Sequence, residues 1–425
     1  MNGPRVLLSA YQCGPGMGSV SQIGWEWYSR LSRRTPVTLV THIRNRPALE
    51  TAGGPVAGSE IRYIDTEWIA GPLYRFASKL FPKSQHSVFL LSSLDYYFYD
   101  HDVCRQIRAC GPRQNWDIVH AVTPVSPVGA TRLHSLGLPV VLGPWNGGLS
   151  SPSTFPEIMR QDSSWLYRIR DAGRVLDGLF GTTKCAAAIL SATRATDESI
   201  PRANRSRCIR MLENAVNLEV FHPGTSEATP GSTEPLKLLF VGRLVPFKGV
   251  SMLLEAVARI SGRFPVELTI AGDGPLRADL ESRAAALGIA RAVRFLGGLS
   301  LEQVAAEMRR AQAFCLPSVR ESGGAVVLEA MAAGLPVIAV NYGGPAEIID
   351  DEIGRPLSCA GPEKLVDELS QVLMDIFHNP GSWRNKGLAG RLRAEKQYGW
   401  EAKITTAMEL YRCILRGESV HELAA

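Results

Sequence analysis

The sequence predicts an α/β protein built from two Rossmann-like, doubly wound parallel sheets that face one another across a cleft. Near-continuous apolar runs of strand length alternate with helical patterns along almost the whole chain, as strands covered on both faces require. A length of 425 residues exceeds what one ordinary core holds. Between the halves, residues 222–235 read HPGTSEATPGSTEP, a linker composition rich in Pro, Gly, Ser and Thr.

In the first half the strand candidates are Arg5–Tyr11, Val37–His42, Ile61–Asp65, Asp117–Val122, Pro139–Gly143 and Ala187–Thr193. In the second they are Lys237–Arg243, Glu267–Gly272, Val293–Gly297, Ala313–Pro317 and Pro336–Val340. The domains are expected at residues 1–215 and 216–398, with a closing helix over 399–425 packing back on the first. Apolar residues at 45% and charged residues at 20% describe a soluble globular chain. A formal charge of +5 and a pI near 8.8 are too mild for nucleic acid but suit anionic substrates or an anionic membrane surface. Eight cysteines without a CxxC pair argue for reduced thiols rather than a zinc site or a disulfide framework. The apolar run in MNGPRVLLSAYQ is too short for a signal-peptide core, and no stretch nears the roughly 20 apolar residues of a membrane span. A cytoplasmic protein is expected, at most resting on the inner face of the cell membrane.

The stretch from Glu67 to Gln114 breaks the alternation. It mixes aromatic and aliphatic residues with Arg75, Lys79 and Lys83. Two readings stand: a helix pair covering the first sheet, or an amphipathic basic surface that touches a membrane and receives a lipid-linked acceptor.

In doubly wound folds ligands bind beyond the carboxyl ends of the strands, and segments of the second half fall there. Val241-Gly242-Arg243-Leu244, followed by Lys248-Gly249 and a helical pattern, combines close backbone approach, a helix N-terminus and two cations, a site for a diphosphate. Ala271-Gly272-Asp273-Gly274-Pro275 is by itself only a tight turn. Arg294-Phe295-Leu296-Gly297 reads equally as the flank of a nucleobase or as core. The strongest segment runs from Arg320-Glu321-Ser322-Gly323-Gly324 through Ala325-Val326-Val327-Leu328-Glu329. Its glycines leave the amides at a helix start unobstructed. Glu329, set among Leu328, Ala330 and Met331, is a carboxylate that needs a hydrogen-bonded partner.

The ordered set VGRL…KG, AGDGP, FLGG and Glu321-x7-Glu329 followed by EAMAAGLPVIA resembles the C-terminal half of retaining glycosyltransferases of family four, which have the GT-B fold. Glu213-Asn214-Ala215-Val216-Asn217 is similar to the family's entry to that domain, with Ala215 and Asn217 in place of Gly and Asp. The resemblance implies that Arg243 and Lys248 hold a nucleotide diphosphate and Glu329 the ribose hydroxyls. Glu321 and the amides of Ser322 to Gly324 would hold the donor sugar and assist at the reacting face. Gly242, Arg294, Ala325 and Val326 complete the implied donor site. In the first half, the loop ending in Gly18-Ser19 is similar to one whose amides face donor phosphates. His120, in Asp117-Ile118-Val119-His120, is either a catalytic-site histidine or a packed core one. Trp145-Asn146 resembles a loop lining the acceptor side, where the tryptophan either stacks on a sugar or is structural.

The implied reaction is retaining transfer of a hexose from a UDP- or GDP-linked sugar to a hydroxyl of a saccharide or lipid-linked acceptor. Its setting would be synthesis of a cell-surface polysaccharide or glycolipid. Neither a metal nor another cofactor is expected. Asp100-His101-Asp102 has the Asp-x-Asp spacing of metal-dependent glycosyltransferases, yet it follows an aromatic helical stretch and reads as a solvated helix end. The alternatives are an epimerase of the same fold, a non-catalytic nucleotide-sugar-binding partner, and a dinucleotide-dependent oxidoreductase, the last weakened by the missing GxGxxG.

Overall fold

A computed structural model describes residues 3–80, 94–111, 116–149, 152–161, 175–224 and 234–418. The chain divides into two compact units. The first comprises Met1–Gly148, Trp165–Glu213 and Lys403–Ala425, and the second Leu149–Ser164 and Asn214–Ala402. The chain therefore passes between them near Glu213 and Lys403, and a short excursion after Gly148, which the sequence reading leaves in the first domain, belongs to the second.

The first unit holds a seven-stranded parallel sheet in the order β3-β2-β1-β4-β5-β6-β7. Its strands are β1 (Val6–Ala10), β2 (Val37–His42), β3 (Glu60–Ile64), β4 (Ile118–Thr123), β5 (Val140–Trp145), β6 (Ala188–Ser191) and β7 (Cys208–Arg210). The second holds six parallel strands in the order β10-β9-β8-β11-β12-β13. They are β8 (Leu236–Val241), β9 (Val266–Ala271), β10 (Val293–Gly297), β11 (Ala313–Leu316), β12 (Val337–Val340) and β13 (Gly354–Leu357). Both sheets are doubly wound, since the strand order runs outward from β1 or β8 and then resumes on its other side. Every strand candidate is present. Two edge strands were not anticipated, β7 (CIR) and β13 (GRPL), because short runs broken by Arg and Pro carry no apolar signal. Residues 225–233 of the linker-like stretch lie outside the described residues.

The helices Glu67–Leu80 and Asp95–Ala109 bring the helix-pair reading into the first core, where Tyr96, Tyr99, Val103 and Ile107 are buried. Residues 81–93, with Lys83, and 112–115 lie outside the described residues. Asp100 and Asp102 sit on the second of these helices and serve different partners. Asp100 is buried and accepts from Thr131 Oγ1 and, at 2.9 Å, from Arg132 N–H, while Asp102 pairs with Arg105 at 3.2 Å.

The closing helix spans Trp400–Arg416, and residues 419–425 lie outside the described residues. From Lys403 onward it belongs to the first unit. Two of the contacts that hold it there bear on the site residues. The Tyr411 hydroxyl meets His120 Nδ1 at 2.6 Å, and Lys403 Nζ donates to Leu212 O at 2.5 Å. Lys403 is 7% exposed, and burial brings its pKa down to about 7 against the pull of Glu213. Glu213 in turn accepts from the Asn146 side-chain amide at 2.6 Å. In the second unit Val216 bridges to Gly399, with Val216 N–H donating to Tyr398 O at 2.9 Å. The leaving and returning segments thus run side by side.

The hydroxyl of Tyr411 is buried and satisfied by one imidazole nitrogen. Tyr411→Phe should therefore lower unfolding free energy by about 1–2 kcal/mol, read from denaturant midpoints. An unchanged midpoint would show that the His120 contact does not secure the helix.

Candidate active site

The second sheet begins at β8, adds β9 and β10 on one side, then resumes with β11 on the other. The carboxyl ends of β8 and β11 therefore flank the point where strand order reverses, and the connections leaving them diverge. The strongest sequence segments follow those two strands.

After β8 come Gly242, Arg243 and the turn Pro246–Lys248, which feeds the helix Val250–Ser261. Gly249, at φ +69°, admits no side chain, since a Cβ there would lie 2.2 Å from Pro317 O. That close approach, with Val319 N–H donating to Phe247 O at 2.9 Å, locks the β8 turn onto the loop after β11. The loop after β12 locks onto the same place. Gly344 N–H donates to Glu321 O at 2.8 Å, and a Cβ on Gly343 (φ +67°) would fall 2.2 Å from that oxygen. The AGDGP turn is a strut here: Leu244 N–H donates to Asp273 O at 2.9 Å, fixing the backbone beside Arg243.

These contacts bring Lys248 and Glu321 together as an ion pair across the reversal point. Their side chains are 14% and 16% exposed, shielded enough for the pair to be electrostatically strong and for either partner alone to be costly. Arg243 is exposed and, among the described residues, its side chain makes no ion pair or hydrogen bond, so its charge is free for an anion. Arg320, to which the sequence reading gives no role, lies over the Phe247 ring at 5.3 Å, and burial lowers its pKa. It ties the two loops by cation–π contact. An arginine directly before Glu321 and an aromatic directly before Lys248 were the available signal.

The helix Ala325–Ala332 starts from Gly324 in the left-handed region (φ +59°), and no side chain caps it. Its first amides are therefore available to an acceptor. The helix is apolar and largely buried, and its partly exposed strip is Ala325, Val326 and Glu329. Side chains lean toward a helix N-terminus, so the Glu329 carboxyl reaches back toward those amides. Burial raises its pKa to about 7, and no hydrogen bond or ion pair to it is recorded among the described residues. It is a partly exposed carboxyl without a protein partner among the described residues, one turn into an uncapped helix, suited to a ligand's hydroxyl groups.

Other expected site residues stand elsewhere. Arg294 is the second residue of β10 and pairs with Glu267 of β9 at 2.9 Å. It is at the amino end of its strand, away from the edge where ligands bind, so it does not join the site. His120 is the third residue of β4 and fully buried. Its Nε2 donates to Gly143 O at 2.7 Å, so Nδ1 must accept from Tyr411. Trp27 meets the ring edge-on at 4.8 Å. Burial holds the imidazole neutral, with a pKa near 4, despite the Gly143 carbonyl. His120 is a core residue with both nitrogens engaged, not an open catalytic base. Trp145 is 2% exposed and part of the first core, so it offers no stacking face. Asn146 is tied to Glu213 and, through its N–H, to Val125 O at 2.7 Å. Gly18 and Ser19 are exposed at the start of the helix Ser19–Leu31, without a side-chain cap. Among the described residues no three His, Cys, Asp or Glu side chains form a metal-binding group, and no helix is long and apolar enough to cross a membrane.

Residues 225–386 match the family described as glycosyl transferases group 1. The chain is 35% identical over 218 residues to the glycogen synthase of Mycobacterium tuberculosis, covering 47% of this chain and 52% of that one. It is 33% identical over 223 residues to the D-inositol 3-phosphate glycosyltransferase of Corynebacterium urealyticum, covering 48% and 51%. It thus spans about half the length of these relatives. In structure it is similar to Anabaena HepE, solved in complex with UDP and glucose. The TM-score is 0.62 at 17% identity, over 96% of this chain and 98% of that one. The fold is accordingly GT-B.

The raised pKa of Glu329 has a consequence for stability. An ordinary glutamate titrates near 4.5 and this one near 7, so the fold favours the protonated form. The stabilisation is complete below pH 4.5 and is lost as pH rises through about 7. Glu329→Gln, which cannot ionise, should melt about 2–4 °C above the unaltered protein at pH 8 and converge with it near pH 4. Parallel melting curves across that range would contradict a raised pKa at Glu329.

Proposed function

We propose that this chain, whose residues 225–386 match the glycosyl transferases group 1 family, is a retaining glycosyltransferase. It moves a hexose from a UDP- or GDP-linked sugar to a hydroxyl of a saccharide or lipid-linked acceptor, in making a cell-surface polysaccharide or glycolipid. The observation that carries this reading is the gathering of Arg243, the Lys248–Glu321 pair, an uncapped helix start and Glu329 around one strand-order reversal. The relatives named as sugar-transferring enzymes, and the HepE complex with UDP and glucose, support it.

In this scheme the free guanidinium of Arg243 and the amides of Gly323 to Val326 receive the diphosphate. Its negative charge draws Lys248 from Glu321, and the released carboxylate takes a hydroxyl of the donor sugar. Glu329 accepts from the ribose hydroxyls. The bond from the anomeric carbon to the diphosphate oxygen breaks as the acceptor oxygen bonds to the same face. The acceptor's proton passes to the departing diphosphate, whose growing charge is held by Arg243 and Lys248. No carboxylate needs to become a covalent nucleophile, and neither a metal nor another cofactor takes part.

Lys248→Ala should lower kcat/KM by about 10²–10³-fold while the melting curve stays cooperative; near-normal turnover would refute the scheme. A donor incubated without acceptor should return with its sugar unepimerised. Activity should persist in EDTA, and a loss restored by manganese would refute the metal-free step. Melting shifts with UDP and with GDP identify the base.

A further inference from the structure

The helix Glu67–Leu80 presents an outward face that the proposed sugar transfer does not use. Ala70 and Ala77, two turns apart, are 5% and 0% exposed and mark its inner side. Opposite them, at helical spacing, stand Trp68, Pro72, Arg75, Phe76 and Lys79, all exposed. Trp68 is 67% and Phe76 59% exposed, a large departure for aromatic side chains. Nor is the patch confined to one helix: Phe98 of the helix Asp95–Ala109 is also exposed, and its ring meets that of Trp68 edge-on at 6.0 Å.

Charge decides what such a face fits. From Trp68 to Leu80 the sequence has two cations and no acid. The acids at the start of the helix are already engaged. Asp65 accepts from Glu67 N–H at 2.9 Å, and Glu67 pairs with Arg44 at 3.1 Å. Arg44 also pairs with buried Asp95 at 2.8 Å, which pins the N-terminal turn to the sheet and fixes the face in one orientation. Aromatic rings set between cations on a helix lying flat match the boundary between headgroups and acyl chains of an anionic bilayer.

We propose that the face formed by Trp68, Arg75, Phe76 and Lys79, extended by Phe98, is a docking surface for an anionic lipid bilayer. The aromatic rings enter the acyl boundary while Arg75 and Lys79 meet phosphate headgroups. This surface stands independently of the sugar-transfer reading, because none of these residues belongs to the proposed donor site.

Flotation of the full chain tests it, with vesicles of phosphatidylcholine alone and of phosphatidylcholine mixed with phosphatidylglycerol. The chain should float with the mixed vesicles at low salt and largely remain behind at high salt or with the neutral ones. Each cation near an anionic surface contributes about fivefold in partition, so R75E/K79E should reduce flotation by at least about tenfold. W68S/F76S should reduce it as well. Absent flotation, equal flotation on both vesicle types, or unaltered flotation of R75E/K79E would overturn the proposal. So would a dimer in sedimentation that W68S/F76S converts to monomer, since the face would then cover a second copy. The lipid and salt dependence of the unaltered chain decides the matter even where a variant fails to fold.

Discussion

The site depends on a topological constraint. In the second sheet the chain leaves β8 in one direction and returns to its other side as β11, so their two carboxyl ends stand adjacent while their connections diverge. Backbone amides and side chains meet there without a crossover helix above them. The Lys248–Glu321 pair spans this place. Each partner sits on a loop that cannot shift freely, since Gly249 is pressed against Pro317 O and Gly343 against Glu321 O. The ion pair is therefore preorganised by packing and does not itself determine the loop shape. An anion that displaces Glu321 from Lys248 would have only side chains to move.

Carboxyl groups in the two units meet burial in different ways. Asp95 is 1% exposed and is satisfied by Tyr11 Oη at 2.6 Å and by Arg44. Glu321 has Lys248. Glu329 has neither, and its proton affinity rises instead. Satisfied buried polar groups are what a stable core contains, whereas one left with a raised pKa points to a group a ligand would complete. By that criterion Glu329 is the most informative carboxyl in the second unit, although its sequence neighbours are those of an ordinary buried helix.

Much of the fold was legible because parallel strands covered on both faces are dominated by apolar residues, as β1 (VLLSA), β4 (IVHAVT), β8 (LKLLFV) and β11 (AFCL) are. The segments of the candidate site were legible because glycines, cations and carboxylates there follow strand ends. What the sequence does not convey is depth along a strand. The sequence leaves His120 open between site and core, and Arg294 between nucleobase flank and core; they are the third residue of β4 and the second of β10. A ligand at the carboxyl edge is out of reach from either position. Trp145 does end its strand, but its side chain turns into the core, an alternation the unbroken apolar run VVLGPW conceals. Arg320 was missed for the opposite reason, since its partner Phe247 is distant in sequence and only the reversal of strand order brings them together.

The two units share one winding rule but not one chemistry. At the corresponding reversal in the first sheet, between β1 and β4, the gap is closed by the unit's own groups. Thr123 Oγ1 accepts from Gln12 N–H at 2.9 Å and donates to Gln12 O at 3.0 Å, while Tyr11 N–H reaches Thr123 O at 3.4 Å. His120 lies beneath, neutral and doubly bonded. Between β8 and β11 the loops are tied as well, Val319 N–H donating to Phe247 O at 2.9 Å, but among the described residues the Arg243 side chain there has no ion-pair partner. The first sheet has its own uncapped helix start at Ser19, so that feature accompanies the winding; particular to the second are the exposed guanidinium beside the Lys248–Glu321 pair and the carboxyl of Glu329, groups that an anionic, hydroxyl-rich ligand would complete.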